Sequence, residues 1–435
     1  MPFSEIGKAA QSAIYRAGTF GRRPKVPTDG TALETAARKV MSRRGFAYVA
    51  GSAGGEATAR ANRAAFDRWQ VVPRVLVDTK ERDLGVELFG RRHASPLLVA
   101  PIGVLSAAHA DADLAVARAA REQQVTPILS TQASVPMEQV AAALDGSGHW
   151  YQLYWSHDDD LAASLVRRAE ACGSEAIVVT LDTAYLGWRP RDLDLGHLPF
   201  ARGEGIAQYT SDPVFRQLVD DRVAAAVGVV PTEPRPRPTP AAMRTLVSLS
   251  RNHPGDTRRN LSAPGPRAAV ETFLDVFSKP ALSWADLPRL RELTTLPVVL
   301  KGVLHPDDAR RAVDEGVDGI LVSNHGGRQV DRSVAALDAL PGIVDAVRHS
   351  GSDVPVLFDS GIRSGADVFV ALALGADAVG IGRPHVYGLA LAGAEGVSEV
   401  LRNIRAELDL TMALTGCRTL ADVTRDRLVE SPLPH

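Results

Sequence analysis

The chain has 435 residues, 45% of them hydrophobic and 23% charged, an ordinary globular balance with ample length to bury a core. A formal net charge of -2 gives no basis for a nucleic-acid or anionic-membrane partner. Two distant cysteines, Cys172 and Cys417, make neither a disulfide framework nor a metal-ligand set, so no metal and a reducing, cytoplasmic setting are expected.

The opening residues Met1-Pro2-Phe3-Ser4-Glu5-Ile6 carry an early acid and no continuous apolar stretch, so no secretory signal is expected. Nor does an apolar run reach the roughly 18 residues of a spanning helix. Residues 1–94 stand apart from the rhythm that follows and read as an N-terminal extension packing on the rest, with at least one helix near Thr31–Arg43.

From Ser95 onward, short apolar runs alternate with helical patterns. Several runs open on proline, as in Pro96-Leu97-Leu98-Val99, Pro127-Ile128-Leu129, Pro297-Val298-Val299-Leu300 and Pro355-Val356-Leu357-Phe358. Proline at a strand's first residue costs no ladder bond, and runs without polar alternation suit parallel strands buried on both faces. Gly173, Gly316 and Gly375 each precede such a run, where a left-handed residue would close the preceding helix. Before Gly316, Pro306 suits a first helical position, Asp307 and Asp308 face the dipole, and Ala309, Ala312 and Val313 give one apolar stripe. Strands are predicted at 97–101, 127–131, 149–154, 176–182, 297–301, 318–323, 355–359 and 378–382. Eight strands with helices between them give the α/β class and a (β/α)8 TIM barrel over 95–435.

The alternation breaks for about a hundred residues after strand four, within 186–296. The middle of this insertion, Pro231-Thr232-Glu233-Pro234-Arg235-Pro236-Arg237-Pro238, is expected to be extended or disordered. Its place at the catalytic face leaves a lid and a surface loop both open.

In this fold the chemistry sits at the strand C-termini. Those positions hold Pro101-Ile102-Gly103, Ser130, Gln152, Tyr154, Thr180, Asp182, Lys301, Ser323 through Arg328, Asp359 through Arg363, and Gly382-Arg383. Arg363 and Arg383 beside glycines are suited to a phosphate, or to tight turns with surface arginines. Lys301 ends an apolar strand and needs an anionic partner, for which a reduced flavin is one candidate; a Schiff-base role is the other. His325 becomes a candidate base only with a partner to orient it, and Asp182 is available from strand four, if it is more than a turn residue. Arg328 could hold a carboxylate in a bidentate pair.

The run Ser323-Asn324-His325-Gly326-Gly327-Arg328-Gln329 resembles the active-site signature of the FMN-dependent 2-hydroxy-acid oxidising family. Gln152-Leu153-Tyr154, Thr180-Leu181-Asp182-Thr183, Lys301-Gly302 and Gly380-Ile381-Gly382-Arg383-Pro384 support it, and the likeness runs from about Phe46 to Arg418. Tyr48-Val49-Ala50-Gly51, Gly187 through Asp192, Asp212 through Phe215 and His305 through Arg311 are most similar to the lactate 2-monooxygenase branch.

The resemblance implies FMN as cofactor and a set of residue roles. His325 would be the general base, paired with Asp182; Arg328, Arg189 and Tyr48 would bind the substrate carboxylate, with Tyr154 near its hydroxyl. Pro101, Ile102 and Gly103 would lie along the flavin, and Ser130, Gln152, Thr180 and Ser323 would bind its ring or ribityl chain. Lys301 would stabilise charge at the ring edge, and Asp359, Ser360, Gly361, Arg363, Gly382 and Arg383 would hold ribityl and phosphate. It implies oxidation of a small L-2-hydroxy acid, lactate first, with oxygen as acceptor and oxidative decarboxylation of the product. The alternatives are an oxidase releasing hydrogen peroxide and a dehydrogenase of the same family. A homotetramer or octamer is also implied. Gln132 departs from the family's apolar residue at that place and points to a more polar substrate.

Overall fold

The computed structural model describes residues 5–227 and 239–431. Eight parallel strands close into a barrel: β1 (Leu97–Val99), β2 (Thr126–Ser130), β3 (Trp150–Leu153), β4 (Ile177–Thr180), β5 (Val298–Val303), β6 (Gly319–Val322), β7 (Val356–Phe358) and β8 (Ala378–Ile381). Each pairs with its neighbours in sequence, and β8 returns to β1 through Gly380 and Leu98. All eight predicted strands exist. Most stop one or two residues early, because the backbone turns out of the ladder to present side chains at the rim. β5 instead runs on to Val303, with a register shift between Lys301 and Val303.

Residues of both faces are buried along the strands, as the unbroken apolar runs require. Leu98, Ile128, Trp150, Val178, Val299, Leu321 and Leu357 fill the interior. A hairpin of Val86–Leu88 and Arg91–His93 plugs the strands' N-terminal end, its Phe89 ring 5.2 Å from Trp150. The opposite, C-terminal end is left for chemistry. Gly173, Gly316 and Gly375 take φ of 80°, 73° and 102° after their helices, as expected. The helix Pro306–Asp314 also forms as read, capped by His305.

The extension holds more than the sequence suggested. It carries α1 (Ile6–Thr19), α2 (Gly30–Val40), α3 (Arg43–Ala50) and α4 (Ala57–Asp67). The helix expected near Thr31–Arg43 is α2, which ends at Val40; Met41 and Ser42 are extended, and Ser42 starts α3 by accepting the Gly45 N–H at 3.0 Å. Asp29 caps α2 in the same way through Ala32 N–H at 2.7 Å.

Most of the insertion is helical. Its longer helices are Pro213–Ala225, Pro240–Asn252 and Gly265–Val276. Prolines that interrupt the strand rhythm in sequence therefore start helices here, where the missing N–H costs nothing. Phe200, Tyr209, Phe215 and Phe273 meet tilted or edge-to-face in a buried aromatic cluster that fixes the helices Pro213–Ala225 and Gly265–Val276 to one another. The expectation for Pro231 through Pro238 falls outside the described residues. Among the described residues no helix is long and apolar enough to cross a membrane, and no group of three His, Cys, Asp or Glu side chains gathers as metal ligands.

Candidate functional site

At the C-terminal rim, the loop after β6 turns sharply. Asn324 accepts the Gly327 N–H at 3.1 Å, and His325 sits at φ 58°, a left-handed conformation that costs a non-glycine residue some strain. Two anchors hold that strain. The His325 N–H donates to Ser323 Oγ at 3.0 Å, and the Gly326 N–H to Ser360 Oγ at 3.0 Å. Gly327, at φ 78°, lies against α4 so closely that a Cβ would meet Ala59 N at 2.7 Å. Only glycine serves there.

The turn delivers His325 to Asp182. Nδ1 lies 2.8 Å from Asp182 Oδ1, and the Thr183 hydroxyl donates to the same oxygen at 2.8 Å. With Nδ1–H donated to the carboxylate, Nε2 carries the lone pair. Burial pushes Asp182 up, but His325, Lys301 and Thr183 together hold its carboxyl well below the usual carboxylate range. Burial pushes His325 below its ordinary 6.5, against the pull of Asp182, so the neutral ring prevails at neutral pH.

Two arginines meet beside this pair. Arg328 donates to the carbonyls of Tyr48 and Gly51 and lies over the Tyr48 ring, 5.0 Å from its centroid. Arg189, 8% exposed, donates to the Arg328 carbonyl at 3.1 Å and to Gln329 Oε1 at 2.8 Å. Burial, reinforced by Arg328, lowers Arg189 to about 10, a field that an anion would relieve. Tyr48 and Tyr154 are buried, and burial raises both hydroxyls above the free phenol, Tyr154 the further, so both remain donors.

These side chains line one chamber of about 910 Å³, mouth included, with Pro101, Ile102, Gly103, Gln132 and Leu186. The same chamber continues past Lys301 to Asp359, Ser360, Gly361, Arg363, Gly382 and Arg383. Lys301, 4% exposed, donates to Ser323 Oγ at 2.7 Å and pairs with Asp359 Oδ2 at 3.2 Å, so its charge is compensated within the protein. Ser323 in turn donates to Asp359 Oδ1.

Ser130, Gln152, Thr180 and Ser323 are buried and do not line the chamber. Ser130 Oγ donates to Gln152 Oε1 at 3.3 Å, while Gln152 Nε2 and Thr180 Oγ1 are buried with no partner. Thr180 and Asp182 border a neighbouring cleft together with Trp155 and Trp284.

The far end of the chamber suits an anion. Arg363 makes one side-chain hydrogen bond, to the Ile362 carbonyl at 2.9 Å, and neither it nor Arg383 pairs with a carboxylate among the described residues. Burial lowers both, Arg383 to about 10. Arg383 also clamps the site, donating to Val49, Gly51 and Gly326 carbonyls and to Ser52 Oγ. A Cβ on Gly382 would meet nothing within 4 Å, so open space adjoins this end. Two buried arginines without a carboxylate partner among the described residues, unpartnered Gln152 and Thr180 atoms and an elongated chamber fit a phosphorylated ring cofactor such as FMN.

Sequence reasoning passed over Asn62 and Asp331, and named Gln329 only as part of the signature run, without its contacts. Asn62 of α4 and Asn324 exchange side-chain hydrogen bonds at 2.8 Å in each direction. Asp331 accepts the N–H groups of Gly55 and Ala57 at 2.7 Å, fixing the start of α4. Gln329 Nε2 donates to the carbonyls of Asp182 (2.8 Å) and Tyr185 (3.0 Å), while its Oε1 also accepts from Gly187 N–H at 3.2 Å. These contacts join segments over a hundred residues apart, and no local pattern announces them.

A family model described as FMN-dependent dehydrogenase matches residues 37–430. The chain is 42% identical over 426 residues to the FMN-dependent alpha-hydroxy acid dehydrogenase qulF of Penicillium citrinum, covering 96% of this chain and 94% of that one. It is 40% identical to 4-hydroxymandelate oxidase of Amycolatopsis orientalis, over 90% and 96% of the two chains. It is 39% identical to L-lactate oxidase of Lysinibacillus sphaericus, over 92% of each. A solved structure of mandelate oxidase with (S)-4-hydroxymandelic acid matches with a TM-score of 0.74 at 37% identity, over 93% of this chain and 99% of that one. A match across the whole barrel, at these identities, places this chain in the FMN-dependent family of 2-hydroxy-acid oxidising enzymes, with FMN as its cofactor.

Proposed function

We propose that the chain oxidises a short L-2-hydroxy acid to the 2-oxo acid with oxygen as acceptor. One observation carries this reading: His325, backed by Asp182, converges with Arg189, Arg328, Tyr48 and Tyr154 on one chamber whose other end holds two arginines without a carboxylate partner among the described residues. FMN, when bound, supplies the acceptor for the two electrons. Ser130, Gln152, Thr180, Lys301 and Ser323 would hold its ring and chain along the Pro101–Gly103 wall, and Asp359 through Arg363 with Gly382 and Arg383 its phosphate end.

The protein's own groups do the rest. Arg328 keeps Nε and Nη2 for a bidentate grip on the substrate carboxylate, and Arg189 adds charge from the opposite side. Tyr154, held protonated, donates to the oxygen on C2. Nε2 of His325 accepts the proton that leaves the substrate, and the ionised Asp182 stabilises the resulting imidazolium. The test is an anaerobic screen of short L-2-hydroxy acids against the purified flavoprotein, read as bleaching of the flavin absorbance. No bleaching with any member of the series would sink the reading.

A second reading keeps the 2-oxo acid in place until peroxide has formed, so that it is decarboxylated; lactate and oxygen would then give acetate, carbon dioxide and water. The strap Leu186–Arg189 favours it. A Cβ on Gly187 would meet the Arg328 and Gln329 carbonyls at 2.4 and 2.6 Å, so this segment lies directly on the signature loop, with Leu186 and Arg189 in the chamber wall, where a lid would retain the product. Product analysis in air separates the readings: acetate without free peroxide supports retention, and pyruvate with peroxide refutes it.

A further inference from the structure

We infer that the Gln132 amide reads the substrate's side chain and selects 2-hydroxy acids that carry a neutral hydrogen-bonding group there, a hydroxyl, carbonyl or amide, over plain alkyl or aryl ones. The inference rests on the proposed oxidation of a 2-hydroxy acid and narrows its substrate class.

Gln132 is 6% exposed and lines the chamber beside Tyr48, Gly103, Tyr154 and Leu186, yet its Nε2 is buried with no partner. A buried polar group left unpaired costs free energy, so an unpaired amide at a chamber wall calls for a ligand atom. Rotation about the last torsion lets the same amide present either its NH2 or its carbonyl.

The backbone that carries this side chain is fixed in place. The Gln132 N–H donates to Ser130 Oγ at 3.1 Å, and its carbonyl accepts the Val104 N–H at 2.9 Å. The adjoining Ala133 carbonyl accepts the Ala207 N–H of the insertion at 3.2 Å. Two glycines make room for this loop. A Cβ on Gly103 would meet Gln132 Cβ at 2.8 Å, and one on Gly205 the Gln132 carbonyl at 3.1 Å. Gly103 is thus required by the position of Gln132, and the backbone anchors keep the side chain's point of attachment at the chamber wall.

Charge sets the class. Lys301 is paired with Asp359, while Arg189 and Arg328 surround the place proposed for the C1 carboxylate. A second carboxylate would lie against a neutral amide in a buried setting, where an ion without a counter-charge is costly. A methyl or phenyl group would leave the amide unpaired. A neutral polar group satisfies both conditions.

The experiment compares matched pairs: L-glycerate with L-lactate, and (S)-2-hydroxyglutaramate with (S)-2-hydroxyhexanoate, on the holoenzyme and on Gln132→Met and Gln132→Leu. The wild type should favour one or both polar members by roughly ten- to a hundredfold in kcat/KM. Both variants should lose that preference while still oxidising the apolar members. Calorimetry with the corresponding 2-oxo acids reads the same discrimination as binding, without turnover. Equal use of polar and apolar members by the wild type, or a preference that survives both substitutions, overturns the inference. Failure to oxidise any of the four would instead overturn the oxidation reading, and the binding ratios would still decide the role of Gln132.

Discussion

The barrel and the insertion reach the same chamber by different physics. Barrel residues arrive there because strands end: Lys301, Ser323 and Asp359 sit at the rims of β5, β6 and β7 and bond to one another across adjacent strands. Insertion residues arrive because side-chain amides grip backbone far away in sequence. Gln329 holds Gly187 and Arg189 onto the signature loop, and Gln208 holds the loop after β2. Substitutions at the rim should therefore change chemistry, and substitutions in the clamps should change docking and stability.

The largest expected effect is at the rim. His325→Ala removes the proposed base, and kcat should fall by about a hundred- to ten-thousandfold, with FMN retained and the melting temperature little changed. Stopped-flow reduction and the flavin content of the purified variant measure both halves. Normal reduction would show that this histidine serves the turn and not the chemistry.

Asp182→Asn should cost about ten- to a hundredfold and also carry a directional signature. Burial holds His325 below 6.5 while Asp182 pulls it upward. Activity requires the neutral ring, so kcat/KM of the wild type should fall as pH drops through a value below 6.5. Without the carboxylate's pull the ring loses its proton at still lower pH, and the acid limb should move down. An upward shift in the pH profile would break the pairing.

Gly327→Ala tests how far the rim depends on the extension. The added methyl would meet Ala59 N at 2.7 Å at a residue with φ 78°. The expected loss is about 2–4 kcal/mol, read from denaturant midpoints, with the signature loop displaced and activity lowered as a consequence.

Much of the rim is legible in sequence. Most of the barrel runs are apolar up to the rim, so the strand ends stand out where polar residues begin; Pro101 through Gly103, Tyr154, Lys301, His325, Arg328, Asp359 through Arg363, Gly382 and Arg383 line the chamber, while Thr180 and Asp182 border the neighbouring cleft. Asp182 and His325 are legible as a pair because each follows a strand on the same barrel face. The extension was harder. Only α2 is legible there, as the helix near Thr31–Arg43, and nothing in the sequence singled out α1, α3 or α4. The insertion was hardest, because proline marks both helix starts and extended chain, and only the caps Asp212 and Thr239 separate them. Asn62, Gln208 and Asp331 are ordinary polar residues in sequence, and their partners lie 71 to 276 residues away.

The smallest expected effect isolates one clamp. Gln208 is fully buried; its Oε1 accepts the Met137 N–H at 2.9 Å and its Nε2 donates to the Val135 carbonyl at 3.2 Å. Gln208→Ala leaves both backbone groups unpaired and should cost about 1–3 kcal/mol. The loop it holds contains Gln132, whose backbone is also fixed by Val104 and Ser130. Those anchors remain in the variant, so kcat on a given substrate should change less than about threefold. Hydrogen exchange at the Met137 and Ala207 amides should rise, because the insertion is held to this loop partly through the lost side chain. Unchanged exchange there would mean that the aromatic cluster around Tyr209 docks the insertion by itself, and would remove the distinction between clamp and rim at this point.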